Sequence, residues 1–105
     1  MDEACEVTIT APDAEWLAEF VRTLVEARLC AAGHVDSAIR SIYRWQGEIY
    51  DKTEARATLH TRLGRVDEII QQTKEHHPYQ VPCVVAVPFA AGDAEYLAWI
   101  HEQTS

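Results

Sequence analysis

The order of its periodic segments predicts that this chain folds as an α+β domain built on a split βαβ unit. Residues 6–11 alternate polar and apolar side chains, which is typical of a strand with one buried face. A helical pattern follows, then two long strands, a second helix and a mostly apolar strand. Strand, helix, strand, strand, helix, strand, with one added terminal helix, is the order of a ferredoxin-like antiparallel sheet.

The first strand and the first helix are separated by Pro12. The strand runs from Glu6 to Ala11, and Asp13 is placed to cap the helix with its carboxylate. We expect this helix to end between residues 29 and 32, with Gly33 as its stop. Its apolar residues recur at alternating steps of three and one, which places them on one side of the helix; they are Leu17, Phe20, Val21, Leu24 and Val25.

Residues 35–62 are expected to form a long hairpin. The two strands meet at residues 45–48, where Gly47 supplies the positive φ of a tight turn. On the first strand the apolar phase slips between Ile39 and Ile42, and a β-bulge near residues 40–41 would explain the slip. The second strand keeps one regular inner face, made of Ala55, Ala57, Leu59 and Thr61.

The second half of the chain supplies two more helices and the last strand. Gly64 opens the second helix, which ends after His76 and His77 because Pro78 disfavours helical geometry in the residue before it. Residues 81–89 are almost continuously apolar and form the last strand, and Gly92 and Asp93 cap a terminal helix. The inner stripe of the second helix is Val66, Ile69, Ile70 and Thr73, and the last helix carries Leu97, Trp99 and Ile100.

Length, charge and composition exclude several classes of function. With 105 residues, the chain is expected to be a single domain over residues 1–105. It has 9 Lys and Arg against 17 Asp and Glu, a net charge of −8 without a basic cluster, so nucleic acid is not an expected partner. No apolar run approaches the roughly 20 residues of a membrane span, and the acidic start does not resemble a secretory signal. We therefore expect no membrane partner and a cytoplasmic location.

The cysteines agree with that location. Cys5, Cys30 and Cys83 lie far apart and include no CxxC pair, so they form neither a disulfide framework nor a zinc-finger pattern. Cys30 and His34 have a helical spacing, but Gly33 lies between them and no third orienting group is evident for a nucleophile and its base. We expect no catalytic residues and no enzymatic activity.

The apolar last strand predicts an oligomer. In a ferredoxin-like sheet the two main helices cover one face, yet this strand is apolar on both faces, as strands covered on both sides are. The terminal helix and another copy of the chain are the two candidates for covering the second face. We predict a homo-oligomer.

Four stretches together resemble the CutA family of divalent-cation tolerance proteins. They are residues 10–13 (TAPD), 41–47 (SIYRWQG), 76–82 (HHPYQVP) and 92–100 (GDAEYLAWI), and the resemblance runs from about Val7 to Ile100. The resemblance implies a ferredoxin-like subunit in a homotrimer, with long hairpin strands pairing between subunits. It also implies a link to copper and other divalent metals. The function we expect is therefore a cytosolic, non-enzymatic role in metal-ion tolerance.

The chain departs from the family pattern at positions that bear on metal binding. The family Cys at the end of the first helix falls at Ala32, its Lys on the third strand at His60, and its Glu after the Val-Pro pair at Cys83. Thiolate and imidazole suit copper and zinc. One hypothesis is that His60, Cys83 and His77 line a pocket between subunits that takes Cu²⁺ or Zn²⁺, with no cofactor strictly required. The alternative is that two neutral groups replace a Lys–Glu ion pair, and that the histidines at residues 76–77 cap a helix.

The aromatic residues leave two interpretations open. They could form a ligand pocket, or they could anchor packing and subunit contacts. The aromatic residues concerned are Tyr43, Trp45, Tyr79, Tyr96 and Trp99.

The alternative function is a signalling module of the PII type, a trimer that binds a small anion or nucleotide at its subunit clefts.

Overall fold

The computed structural model describes residues 2–105 and confirms the α+β, ferredoxin-like order. Four strands form one antiparallel sheet, and in chain order they are β1 Ala4–Ala11, β2 Ala32–Trp45, β3 Glu48–Arg62 and β4 Val84–Pro88. Their order in the sheet is β2-β3-β1-β4, so β2 and β4 are its edges. A short 3-10 turn, Leu63–Arg65, precedes the second helix. The helices are α1 Ala14–Glu26, α2 Val66–His76 and α3 Ala94–Gln103.

The core lies between one face of the sheet and the helices α1 and α2. The alternation predicted for the first strand is present, because Val7 and Ile9 are fully buried while Thr8 and Thr10 are only partly covered. The inner face predicted for β3 is buried as well. On α1, however, Val25 is 38% exposed and does not belong to the core stripe. The central residues are Cys5, Val7, Ile9, Leu17, Phe20, Val21, Leu24, Leu59 and Ile69.

The first helix ends earlier than expected, and Gly33 is not its stop. Arg28 adopts a positive φ of 62°, its amide bonds the carbonyl of Val25, and the amide of Leu29 bonds that of Leu24. This is a Schellman ending, which needs a left-handed residue but here does not use glycine. The Arg28 guanidinium donates to the carbonyls of Glu102 and Ser105, so the residue that ends α1 also caps α3.

Gly33 lies within β2 and is required there for close packing. A Cβ on Gly33 would lie well inside contact distance of Val21 Cγ1 and 3.0 Å from Leu59 Cδ2. Both side chains are buried in the core. The glycine therefore allows β2 to approach α1, rather than ending the helix.

The long hairpin is present, and its bulge lies elsewhere. Gln46 and Gly47 both have positive φ, at 49° and 81°, as a tight turn with primed geometry requires. The register shift falls between Asp36 and Ile39, with Ala38 at a φ of 62°, not near residues 40–41. The break in the alternation of apolar residues correctly predicted a bulge but not its position. Beyond residue 39 the hairpin extends past the core, and its exposed residues do not have to alternate between polar and apolar.

The second half contains a shorter last strand than expected. The strand β4 covers residues 84–88 rather than 81–89. His77 is the C-cap of α2, as Pro78 requires, and Asp93 caps α3 by accepting a hydrogen bond from the amide of Tyr96 at 3.0 Å. In the part of the chain that the structure describes, no helix is both long and apolar enough to cross a membrane.

Candidate functional site

One face of the sheet carries no main helix and presents two rows of side chains across the strands. Strand register aligns Val87, Glu6, His60 and Ala32 in one row, and Val85, Thr8, Thr58 and His34 in the next. The valines at the β4 edge are 57% and 61% exposed. The helix α3 covers only the end of this face, where Ile100 packs with Ala4 and Ala31. The open sheet face, meaning these two rows, is therefore apolar at one edge and polar at its centre.

His60 is the most connected side chain on the open sheet face. Its Nδ1 lies 2.7 Å from the hydroxyl of Tyr96, and its Nε2 lies 3.8 Å from Oε1 of Glu6. Its ring packs edge-on against the rings of His34 and Phe89, with centroids 5.2 and 5.3 Å away. Burial lowers the pKa of His60 below its usual value, and the charge of His34 lowers it further, against an opposing effect of Glu6. The imidazole is therefore neutral at pH 7.

His77 has a structural role in the chain. Its Nε2 lies 2.7 Å from the carbonyl of Thr10, and its Nδ1 accepts the amide hydrogen of Tyr79 at 3.0 Å. The first contact makes Nε2 the protonated nitrogen, so both ring nitrogens are in use and no lone pair remains for a metal ion. His77 is 8% exposed, and its two hydrogen bonds connect the loop after α2 to the end of β1.

Cys83 lies far from His60 within the subunit. Val84 pairs with Ile9 while His60 pairs with Glu6, so Cys83, one residue before Val84, is separated from His60 by roughly 13 Å along β1 and roughly 10 Å across it. The Cys83 thiol is exposed, whereas Cys5 and Cys30 are buried. Across residues 2–105, no three side chains of His, Cys, Asp or Glu are already arranged to hold a metal ion. The three residues proposed from sequence are not assembled into a site by one chain.

The aromatic residues fall into two groups. Tyr43, Trp45 and Tyr79 line an open cleft of about 1000 Å³ between the hairpin and the loop after α2, and Cys83 also lines it. Tyr43 stacks on Tyr50 with ring centroids 5.4 Å apart. The other group, Tyr96 and Trp99, lies on α3 with centroids 5.5 Å apart, and Tyr96 contacts His60. The five residues therefore do not form one pocket.

A buried carboxylate holds Tyr79, one of the residues that line the cleft, in place. Glu54 is 5% exposed on β3, and its Oε2 accepts a hydrogen bond from the Tyr79 hydroxyl at 2.5 Å. Burial raises the pKa of Tyr79 far above its usual value, and the Glu54 carboxylate raises it further. The phenol therefore stays protonated and keeps donating to Glu54.

We expect Tyr79→Phe to lower the free energy of unfolding by about 1–2 kcal/mol, because the variant leaves the Glu54 carboxylate buried with its donor removed. Chemical unfolding followed by circular dichroism at one fixed protein concentration measures the loss. Tyr50→Phe is the matched control and should change the stability by less than about 0.5 kcal/mol. Equal stability of the Tyr79 variant and wild type would show that this hydrogen bond contributes nothing.

Two residues around His60 were missed in the sequence, namely Glu6 and His34. Strand periodicity indicates which face a residue lies on, but the partners across strands depend on register. Glu6 pairs directly with His60. Ala32 pairs with His60 from the other side, so His34, two residues further along the same face of β2, also lies beside that ring. A one-residue bulge anywhere between His34 and the hairpin turn gives this register, so the phase slip in β2 together with the Gly47 turn was the signal that could have found the His34 contact.

The fold and the open sheet face define a small ferredoxin-like domain with a long hairpin, two free sheet edges and a histidine-centred polar patch. Residues 5–103 match the family model described as CutA1 divalent ion tolerance protein. The chain belongs to this family.

Individual relatives agree with that assignment. The chain is 39% identical over 98 residues to the divalent-cation tolerance protein CutA of Thermus thermophilus, covering 93% of this chain and 95% of that one. It is 33% identical over 96 residues, 91% of this chain, to protein CutA of Mus musculus, and spans about half (54%) of the mouse protein. The solved structure of the divalent cation tolerance protein from Thermus thermophilus superposes with a TM-score of 0.91 at 38% identity, covering 100% of both chains.

Proposed function

We propose that the chain works in the cytoplasm as a homotrimer that contributes to divalent-metal tolerance by binding Cu²⁺ or Zn²⁺, without catalysing a reaction. The observation that carries the proposal is the open sheet face with its exposed valine edge, in a chain of the CutA1 family. The three cysteines are unpaired, which is typical of a reducing compartment.

The sheet edges support a closed ring of subunits. β2 and β4 lie at opposite edges of the sheet, and among residues 2–105 no strand pairs with the outer edge of either. Pairing the β2 edge of one copy with the β4 edge of the next is a head-to-tail contact, which closes into a ring when the rotation allows. Such a ring would also cover exposed apolar side chains, which are Val81, Val85 and Val87 near β4 and Ile42 and Ile49 on the hairpin.

The available groups favour binding over catalysis. Burial raises the pKa of the Cys5 thiol to about 11 and that of Cys30 to about 12, so neither is a thiolate nucleophile at pH 7. A trimer would carry three times the −8 of one chain, a field that attracts cations whether or not a specific site exists. Specific binding must therefore persist when added salt screens that field.

We expect size-exclusion chromatography with light scattering to give three times the 11.9 kDa chain mass. Val85→Glu should lower that mass, because it places a charge in the apolar edge that the neighbouring subunit would cover. Val25→Glu, on the partly exposed outer side of α1, is the control and should leave the mass unchanged. A wild-type monomer at micromolar concentration would refute the trimer.

The cleft supports a second candidate function, that of a PII-type module for a small anion or nucleotide. Arg44 and Lys52 line it together with aromatic rings, and Lys52 lies 5.6 Å from the Tyr50 ring centroid. Thermal unfolding with Cu²⁺, Zn²⁺ or ATP separates the two functions, because only a ligand that binds the native state raises the melting temperature. Stabilisation by ATP alone would favour the second candidate.

A further inference from the structure

The contacts of His60 leave one of its nitrogens directed at a carboxylate without a hydrogen bond. Nδ1 is engaged by the Tyr96 hydroxyl at 2.7 Å, while Nε2 faces Oε1 of Glu6 at 3.8 Å. A hydrogen bond between these atoms would measure about 2.7–3.2 Å. Two ligand atoms on a tetrahedral Zn²⁺, each about 2.0–2.2 Å from the ion, lie roughly 3.3 Å apart. The gap is therefore too wide for a direct hydrogen bond and needs only a small contraction to match the ligand spacing around a bound metal ion.

A second imidazole lies beside this gap. His34 is on β2, diagonally across from His60 on β3, and the ring centroids are 5.2 Å apart. The His34 ring is exposed and can rotate, whereas His60 is held by the Tyr96 hydroxyl and the Phe89 ring. Glu6 and His60 thus already face each other across the gap, whereas the His34 ring would have to rotate to join them.

We propose that Glu6, His34 and His60, which meet on the open sheet face from β1, β2 and β3, form a site for one Zn²⁺ or Cu²⁺ ion in each subunit. Two imidazoles and one carboxylate suit these ions, and water would fill the remaining position. The site rests on the proposed metal binding and changes its location, because Cys83 and His77 take no part. It needs no residue from another subunit.

The surroundings of the site favour a bound cation over an empty pair of imidazoles. A metal-binding histidine is commonly oriented by a hydrogen bond from its other nitrogen, which is the position that the Tyr96 hydroxyl occupies at His60. Contraction of the gap between Glu6 and His60 and rotation of His34 are the changes still needed, because no three side chains of His, Cys, Asp or Glu within residues 2–105 are yet arranged to hold a metal ion.

Isothermal titration of metal-free protein with Zn²⁺ at pH 7 and moderate salt tests the site. We expect one ion per chain for wild type, and a Kd at least about tenfold weaker for Glu6→Gln, His34→Ala and His60→Ala. His76→Ala and Glu75→Gln are matched controls, with the same residue types at exposed positions on α2, and should keep the wild-type Kd. Tyr96→Phe should weaken Zn²⁺ binding by about tenfold without removing a ligand.

A second measurement keeps the test valid if a variant folds poorly. In wild-type protein, Zn²⁺ should shift the imidazole NMR signals of two of the five histidines, and these two should be His34 and His60. An unchanged Kd in all three ligand variants would overturn the site. If Cys83→Ala abolishes binding instead, the site fails while the proposed metal binding stands. If wild type binds neither Zn²⁺ nor Cu²⁺, both fail.

Discussion

A Gly33→Val variant is expected to lose about 3 kcal/mol or more of its free energy of unfolding. The added side chain would overlap Val21 Cγ1 and press on Leu59, and neither neighbour can yield easily. Val21 is β-branched and has one strongly preferred rotamer in a helix, while Leu59 is fully buried on β3. Guanidinium chloride unfolding followed by circular dichroism, at one fixed protein concentration, measures the loss.

Gly92→Val is the control for this substitution. Its Cβ would lie 3.0 Å from Leu97 Cδ2, the flexible end of a half-buried side chain in α3. We expect a change within about 1 kcal/mol, since the leucine can move aside. Equal losses for the two glycine variants would contradict the view that Gly33 is required by helix–strand packing.

An Arg62→Ala variant should lose about 2–3 kcal/mol, the largest expected effect of removing a charged side chain from this protein. The guanidinium donates to the Thr104 carbonyl at 2.6 Å, to its hydroxyl at 3.0 Å and to Asp2 at 2.8 Å. Thr104 is fully buried at the end of α3, so its carbonyl would keep only the bond from Arg65. Charge-assisted bonds of this kind contribute about 1.5–3 kcal/mol. Thermal and chemical unfolding both report the loss.

Arg56→Ala provides the comparison, because Arg56 makes an exposed ion pair with Asp36 at 3.4 Å. Exposed pairs contribute about 0–1 kcal/mol, so this variant should be close to wild type. If Arg56→Ala cost as much as Arg62→Ala, general charge rather than the cap on α3 would explain the effect.

The same cap makes a pH dependence predictable. The hydrogen bond from Arg62 holds the pKa of Asp2 below its usual 3.8. A carboxyl group with a lowered folded-state pKa stabilises the fold above its unfolded value, and that stabilisation is lost as the pH falls through the folded value. The stability difference between wild type and Asp2→Asn should therefore be constant from pH 5 to 7 and shrink below about pH 3.8. A difference that grows on acidification would contradict the Asp2–Arg62 contact.

The fold was predictable from the sequence because its elements are strongly periodic and are separated by clear turn and capping residues. The alternation in β1, the caps Asp13 and Asp93 and the Gly47 turn all appear as expected. The predictions that missed concern local endings. The end of α1 at Arg28 and the bulge at Ala38 both use positive φ in residues other than glycine, which sequence does not signal. The short β4 is similar, because an apolar run marks burial or an interface as well as a strand.

The candidate site was predictable only in part. His60 was identified as a residue of interest, and it is the centre of the polar patch on the open sheet face. Its expected companions lie elsewhere, since His77 uses both ring nitrogens in the fold and Cys83 lines the cleft. Its real neighbours come from two other strands, and one of them, Glu6, resembles any other charged residue of a solvated strand face.

The sequence by itself determined the fold class, the core faces, the helix caps and the resemblance to the CutA family, because periodicity, capping and motif spacing are local properties of the chain. Only the tertiary structure decided that Arg28 ends one helix and caps another, that Gly33 serves packing, and that Glu6 and His34 flank His60. These facts depend on strand register and on which elements pack together. A shift of one residue in register turns every side chain to the other face, so contacts between strands cannot be inferred from a segment considered alone.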